Sequence, residues 1–242
     1  MKNLLTLCML LSLSSISFSQ KNKKAVFLFW DSTGKAVDTE KDASFFTVSQ
    51  QINDTCWQSQ NYAMRGPLVS SEQFKDKAKK VRHGQAAFMR PDGTLDSTGA
   101  FVNGNPDGRW IYYNQNGMEV IEKQYVLGEL VKYMKIEGNG RNAYDTEASF
   151  DGGAAGWQQY LIQNLRYPEY ALNNKIQGQV KVAFAVDERG RVRNEMILKS
   201  VEFTLDYEAL RLLRESPKWI PATIAARKLT SYRQQGIQFR TE

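Results

Sequence analysis

Gln177-Gly178-Gln179-Val180-Lys181-Val182-Ala183-Phe184-Ala185-Val186-Asp187, continued by Glu188-Arg189-Gly190, is the most legible stretch of this chain. Val180, Val182, Phe184 and Val186 alternate with Lys181, Ala183 and Ala185, the period of a strand with one buried face. Asp187 to Gly190 supplies a turn, and the return strand places Val192, Met196 and Leu198 on one face, with Asn194 interrupting the pattern. Upstream, Trp157, Tyr160, Leu161, Asn164 and Leu165 recur at helical spacing, which predicts a short amphipathic helix. Arg166-Tyr167-Pro168 ends it, because the residue before a proline is pushed toward extended geometry, and Pro168 then opens a second helical turn through Ala171 and Leu172. Downstream, a helix is predicted with Thr204 as N-cap, Asp206 favourable to the dipole, and Leu205, Ala209, Leu212 and Leu213 facing inward. Pro217 terminates that helix, and 232–240 reads as a last strand. Its apolar parity breaks between Tyr232 and Ile237, which calls for a bulge near Gly236 or an outward-facing Tyr232.

The middle of the chain matches itself at a spacing of 24 residues: Gly84 with Gly108, Phe88 with Tyr112, Asp92-Gly93 with Asn116-Gly117, Phe101 with Tyr125, Gly104 with Gly128. A fainter echo lies at Phe29-Trp30-Asp31-Ser32-Thr33-Gly34. Asx-Gly pairs provide the positive-φ positions of tight hairpins, so each unit reads as strand, turn, strand, turn, a β-meander with aromatics along one face. The segment Asn105-Pro106-Asp107-Gly108-Arg109-Trp110-Ile111-Tyr112-Tyr113-Asn114 resembles the MORN-type repeats of exported bacterial proteins. Those aromatics read first as the core of a small open sheet and only second as a ligand-binding stripe. Glu137-Gly138-Asn139-Gly140-Arg141-Asn142-Ala143 has the letters of a dinucleotide fingerprint but opens no helix on which a pyrophosphate could sit, so it reads as a connector.

The N-terminus carries an address. Lys2, an apolar run from Leu4 to Leu13, and Ser17 and Ser19 at the small-residue positions describe a secretory signal peptide cleaved after Ser19. Leu4 to Phe18 offers 15 positions, five of them Ser or Thr, against the roughly 20 apolar residues that a bilayer span needs. An uncleaved inner-membrane anchor is therefore the lesser reading, and no further stretch approaches transmembrane length. With 42% apolar and 24% charged residues the chain is globular rather than disordered. A formal charge of +6, spread evenly, is too diffuse to argue for nucleic acid. One His and two Cys exclude a His/Cys-rich zinc site and a disulfide framework.

Taken in order, Asn164-Leu165-Arg166-Tyr167-Pro168, the 177–187 strand with its Gly190 turn, Asp206 with Ala209, and Pro217-Lys218-Trp219-Ile220-Pro221-Ala222 closely resemble the TonB C-terminal domain, over roughly residues 150–239. The resemblance implies a small three-stranded antiparallel sheet with helices on one face, in the periplasm. It also implies recognition of an extended peptide, the TonB box of outer-membrane transporters, which adds a strand to the sheet edge. By that resemblance the final strand is the edge, and the peptide-binding residues are Tyr167, Pro168, Thr230, Tyr232, Arg233, Gln234, Gln235, Gln238 and Arg240. Arg233, Gln234, Gln235, Gln238 and Arg240 would be its solvent-side contacts, although polar residues there would equally blunt the edge against aggregation. Tyr167, Pro168 and Trp219 serve the fold ahead of any ligand. With only six prolines in the chain and a β-rich region where a Pro-rich spacer would stand, energy transduction is not carried over.

No catalytic constellation is legible. His83 sits among Lys79, Lys80 and Arg82 and reads as a solvated loop residue, and Cys56 has no nucleophile signature. The expectation is an α+β protein with a signal peptide at 1–19, a β-rich region at 20–82, MORN-like repeats at 83–135, a linker at 136–149 and a TonB-like domain at 150–242. It is expected to be a non-enzymatic periplasmic protein without metal or cofactor that supports TonB-dependent transmembrane transport. The alternative is a non-transducing envelope protein contacting glycan, peptidoglycan or another surface protein. A homodimer through the exposed edge stays open.

Overall fold

The computed structural model describes residues 25–136 and 146–241; the expected signal peptide and the 137–143 connector lie outside the described residues. The fold is α+β. Its first part is one antiparallel sheet of ten strands: β1 (Val26–Trp30), β2 (Ala36–Val37), β3 (Phe45–Asn53), β4 (Cys56–Ala63), β5 (Leu68–Phe74), β6 (Arg82–Met89), β7 (Leu95–Val102), β8 (Asn105–Tyr113), β9 (Glu119–Val126) and β10 (Glu129–Lys135). From β3 to β10 every strand pairs with its successor, while β1 lies between β2 and β3. Residues 35–82, which the sequence left without a role, supply β2 to β5, and the sheet runs unbroken from β5 into β6 through Ser70↔Phe88 and Phe74↔Arg82.

One turn design recurs along the chain. At Asp31, Asn114 and Asp187 a side-chain oxygen accepts from the backbone N–H groups two and four residues on. In each case a glycine three residues on, Gly34, Gly117 or Gly190, takes a φ between +76° and +82°. The spacing Asx-x-x-Gly encodes this directly, since the short side chain mimics a backbone turn and glycine bears the positive φ without a Cβ clash. At the last of these turns the backbone N–H of Arg191, ahead of its side chain, holds the Asp187 carboxyl down at about 2.

The sheet has two faces. Phe88, Phe101, Tyr112 and Tyr125, the aromatics of the 24-residue spacing, gather on one of them around Trp110. The Phe101 and Tyr125 rings lie edge-on to Trp110, at 5.1 and 6.4 Å, and Phe88 stacks at 6.3 Å. The Trp110 indole donates to the Ala100 carbonyl at 3.1 Å and lies across Gly99, where a Cβ would sit 2.2 Å from the ring. Gly99→Ala should therefore cost about 1–3 kcal/mol through overpacking alone. Urea denaturation followed by tryptophan fluorescence checks this, and an unchanged midpoint would mean that the ring slides aside freely. His83, expected in a loop, instead lies on β6, where its Nδ1 accepts from the Asn103 amide at 3.4 Å. Burial pushes the Cys56 thiol up, away from thiolate reactivity.

The C-terminal part comprises α1 (Gly153–Asn164), α2 (Glu169–Asn173), β11 (Gly178–Val186), β12 (Val192–Lys199), α3 (Phe203–Arg214), the hairpin β13 (Ala222–Ile224) and β14 (Arg227–Leu229), and β15 (Ser231–Phe239). Its three-stranded sheet has the order β12-β11-β15. Val180, Val182, Phe184 and Val186 are fully buried against Leu205, Ala209, Leu212 and Leu213 of α3, with Trp157 of α1 and Trp219 closing the core. Each fully buried side chain of this kind contributes roughly 1.5–3 kcal/mol.

Two local expectations are corrected. The cap of α3 is Glu202 rather than Thr204: its carboxylate accepts from the Thr204 N–H at 2.8 Å and from the Thr204 hydroxyl at 2.6 Å. On β12, Asn194 adopts a φ of +53° and the pairing register shifts there. This bulge reverses the facing of the strand, so Val192 turns to the helical core while Met196 and Leu198 turn to the opposite face.

That opposite face is covered by the meander. Leu198, Met196 and Ala183 pack with Leu95, Ile111 and Tyr113, and Met89 touches this cluster, the helical core and a third cluster of Phe46, Val48, Tyr62 and Leu68. Phe203, at the start of α3, meets the rings of Tyr62, Phe27 and Phe46 at 5.3, 5.8 and 5.9 Å. Ser200 is the polar rivet of the junction. Its N–H donates to the Gly93 carbonyl at 2.8 Å, and its hydroxyl accepts from the Leu68 N–H at 2.7 Å and donates to Asp206 at 2.5 Å. Helices, small sheet and meander therefore stand as three successive layers.

Candidate peptide-binding edge

β15 is a terminal strand of the small sheet, hydrogen-bonded to β11 on one side. Its register runs without a shift from Val186↔Ser231 to Gly178↔Phe239. Nine residues at about 3.4 Å each make an edge of roughly 30 Å whose outward N–H and C=O groups have no neighbouring strand among the described residues. Such a row is a template for another extended chain.

Directly paired residues share a face, so the register sorts the side chains. Ser231, Arg233, Gln235, Ile237 and Phe239 lie opposite the buried residues of β11, on the helical side, while Tyr232, Gln234, Gly236 and Gln238 lie on the other. The parity break is thus resolved by an outward Tyr232, 74% exposed, with no bulge at Gly236. Arg233 and Gln235 are half-buried on the helical side instead of pointing to solvent with Gln234 and Gln238. Thr230 is exposed just before the strand and Arg240 is exposed just after it.

Tyr167 stands at the Phe239 end of the edge, its ring edge-on to Phe239 at 5.9 Å and its hydroxyl donating to the Ile176 carbonyl at 2.6 Å. Burial pushes its phenol up. Pro168 precedes α2 as its cap residue, and its carbonyl accepts from the Leu172 N–H at 2.9 Å. Tyr167 braces the far end of the edge, whereas Thr230 and Tyr232 sit at the near end, so these residues share one edge without forming one pocket.

The structure adds neighbours that the sequence did not suggest. Residues 146–149 run beside the β13 segment through the bridges Thr146↔Thr223 and Ser149↔Ile220, which brings Glu147 into an ion pair with Arg233. Exposed pairs of this kind contribute only about 0–1 kcal/mol, so another acidic group can take the place of Glu147. Ser231, at the start of the edge, has a buried hydroxyl with no protein partner among the described residues. The far edge of the small sheet is different: Lys199 at the end of β12 bridges to Thr94 of the meander. β10 is also terminal in its sheet, but it is interrupted by a register shift at Leu130/Lys132.

Residues 163–241 match the family model for the Gram-negative bacterial TonB protein C-terminal. The match begins in the last turn of α1 and includes the whole of β15, so this part of the chain is similar to the TonB C-terminal domain. The family is a periplasmic, non-catalytic interaction domain, and it points to outer-membrane proteins as partners. No curated protein matches the chain. Among the described residues no helix is long and apolar enough to cross a membrane, which leaves strands aside.

Proposed function

We propose that this protein binds an extended peptide, the TonB box of an outer-membrane transporter, by strand addition to β15, and so supports TonB-dependent transport from the periplasm. The observation that carries this reading is the nine-residue, shift-free strand, paired on one side only among the described residues, inside the segment that matches the family. Main-chain hydrogen bonds contribute about 0.5–1.5 kcal/mol each after desolvation, so a short peptide gains modest affinity from the backbone. Its register comes from side chains, on one side Tyr232, Gln234 and Gln238, on the other Arg233 and Gln235. Tyr167 and Pro168 hold the Phe239 end in place. Thr230 and Arg240 extend the contact beyond the strand at either end.

A backbone amide NMR titration of the full chain with peptides from the N-terminal plugs of the host's outer-membrane transporters tests this. Shift changes should concentrate on β15 and its β11 partners. An unchanged spectrum across the panel, or changes confined to β10, would overturn strand addition at this edge.

A second reading, a non-transducing envelope protein that contacts glycan or another surface protein, draws on one observation. The ten-stranded sheet presents a whole face that the C-terminal domain does not cover.

A further inference from the structure

On that uncovered face a cavity of about 440 Å³ opens over β1, β3, β4 and β5, within the range of small-ligand clefts, about 300–1,000 Å³. Its walls are the rings of Trp30, Phe45 and Phe74. Its floor is a one-directional hydrogen-bond chain. The Trp30 indole donates to Thr47 Oγ1 at 2.9 Å, Thr47 to Asn61 Oδ1 at 2.7 Å, Asn61 Nδ2 to Ser70 Oγ at 2.8 Å, and Ser70 to Glu72 Oε1 at 3.2 Å. Arg82 Nε forms an ion pair with the second oxygen of Glu72 at 2.6 Å, and that oxygen accepts no hydrogen bond among the described residues.

The direction of that chain decides what the floor can accept. Each hydroxyl has one donor and two acceptor sites. Thr47 and Ser70 each spend their donor on the next member and receive one bond, which leaves an acceptor position on each. The floor therefore asks for a ligand rich in donors. Ser49, 4% exposed and directly paired with the floor residue Ser59, has a hydroxyl with no protein partner among the described residues. A buried polar group left this way costs about 1–3 kcal/mol, and Ser49 itself does not line the cavity.

Two further features narrow the ligand. β3, β4 and β5 are interior strands with both neighbours paired, so no peptide can add to their backbone and recognition must run through side chains. At the rim stands Lys79, whose ammonium is disfavoured by burial and favoured by the charge of Glu72. Glu72 is already engaged by Arg82, so an incoming anion would complete the charge at Lys79. Flat aromatic walls suit the C–H faces of sugar rings.

We propose that this cavity binds an acidic saccharide, with its hydroxyls on the Thr47–Asn61–Ser70 floor, a ring face against Trp30 or Phe74, and its carboxylate at Lys79. The site is separate from the β15 edge and does not depend on the peptide-binding reading.

The test is calorimetric titration of the full chain with trigalacturonate, with maltotriose as the neutral probe and inorganic phosphate as the simple anion. Saturable binding of trigalacturonate, at least about tenfold tighter than maltotriose, is expected. Lys79→Gln should weaken it by about tenfold, the order of a charge-assisted contact, and leave maltotriose unchanged. Asn61→Ala should weaken both sugars. Lys79 is on the rim, so its variant should keep the wild-type circular dichroism, and amide shifts of Thr47, Ser59 and Ser70 on titration locate the ligand. Absence of saturable binding, equal affinity for both sugars, phosphate binding as tightly as trigalacturonate, or indifference to Lys79→Gln would each overturn the proposal.

Discussion

Unfolding free energy should fall as pH rises from about 4 to about 7, and most of that fall should disappear in Asp206→Asn. Asp206 is almost completely buried where α3 meets the meander. Burial first, and the charge of neighbouring Glu202 second, push its carboxyl up to about 7, against the pull of Ser200, the Val201 N–H and Tyr62. Tyr62 approaches from β4 with its hydroxyl 3.3 Å from Asp206 Oδ2, and its own phenol is held well above the usual range, so it stays a donor.

The sign follows from proton binding. Below the unfolded carboxyl value of 3.8 both states are protonated, and the folded state keeps its full stability. Between there and about 7 the folded protein holds a proton that the unfolded chain releases, so stability is lost as pH rises. One pKa unit is worth about 1.4 kcal/mol, which puts the loss at up to roughly 4 kcal/mol. Glu202, also pushed up by burial, should leave a smaller slope in the variant. Urea denaturation from pH 4 to pH 8, with a carbon-13 carboxyl titration of Asp206, checks the prediction. A flat wild-type profile, or a carboxyl midpoint near 4, would mean that water reaches this group.

Gly93→Ala should open the junction between the layers. Gly93 has a φ of +80°, and a Cβ there would lie 2.3 Å from the Ser200 carbonyl oxygen and 2.9 Å from Pro67. The first obstacle is backbone, held in place by the Ser200 N–H on the Gly93 carbonyl, so it cannot rotate away. Gly104 provides the control: its φ is +89° with nothing within 4 Å of an added Cβ. Gly104→Ala should cost about 1–2 kcal/mol from φ alone, and Gly93→Ala at least about 2 kcal/mol more. Thermal melts give the difference, and limited proteolysis of Gly93→Ala should release a resistant C-terminal fragment. Equal melting points for the two variants would show that the β6–β7 turn contributes nothing to docking.

The peptide edge was legible in part. The alternation of 180–186 fixed which face of β11 is buried, and antiparallel pairing then sorted β15 once its register was known. The outward Tyr232 was one of two readings of a parity break that sequence alone could not separate, because a bulge and an exposed aromatic give the same pattern. Glu147 beside Arg233 had no local signal, since 86 residues separate the two.

What the sequence determined by itself was short-range. Asx-x-x-Gly spacing set the turns at Asp31, Asn114 and Asp187, and a period of two set strand facing. The apolar spacing of Leu205, Ala209, Leu212 and Leu213 set the inward face of α3. These depend on bonds and contacts within a few residues. Tertiary structure decided what each buried face is buried against. Met196 and Leu198 look alike whether they meet a helix or a second sheet, and only the bulge at Asn194 and the surfaces of Leu95 and Ile111 direct them to the meander. Asp206 in the first turn of a helix reads as a dipole contact, yet its environment is set by Tyr62, 144 residues away. Desolvation is a property of the surrounding volume, and no local pattern records it.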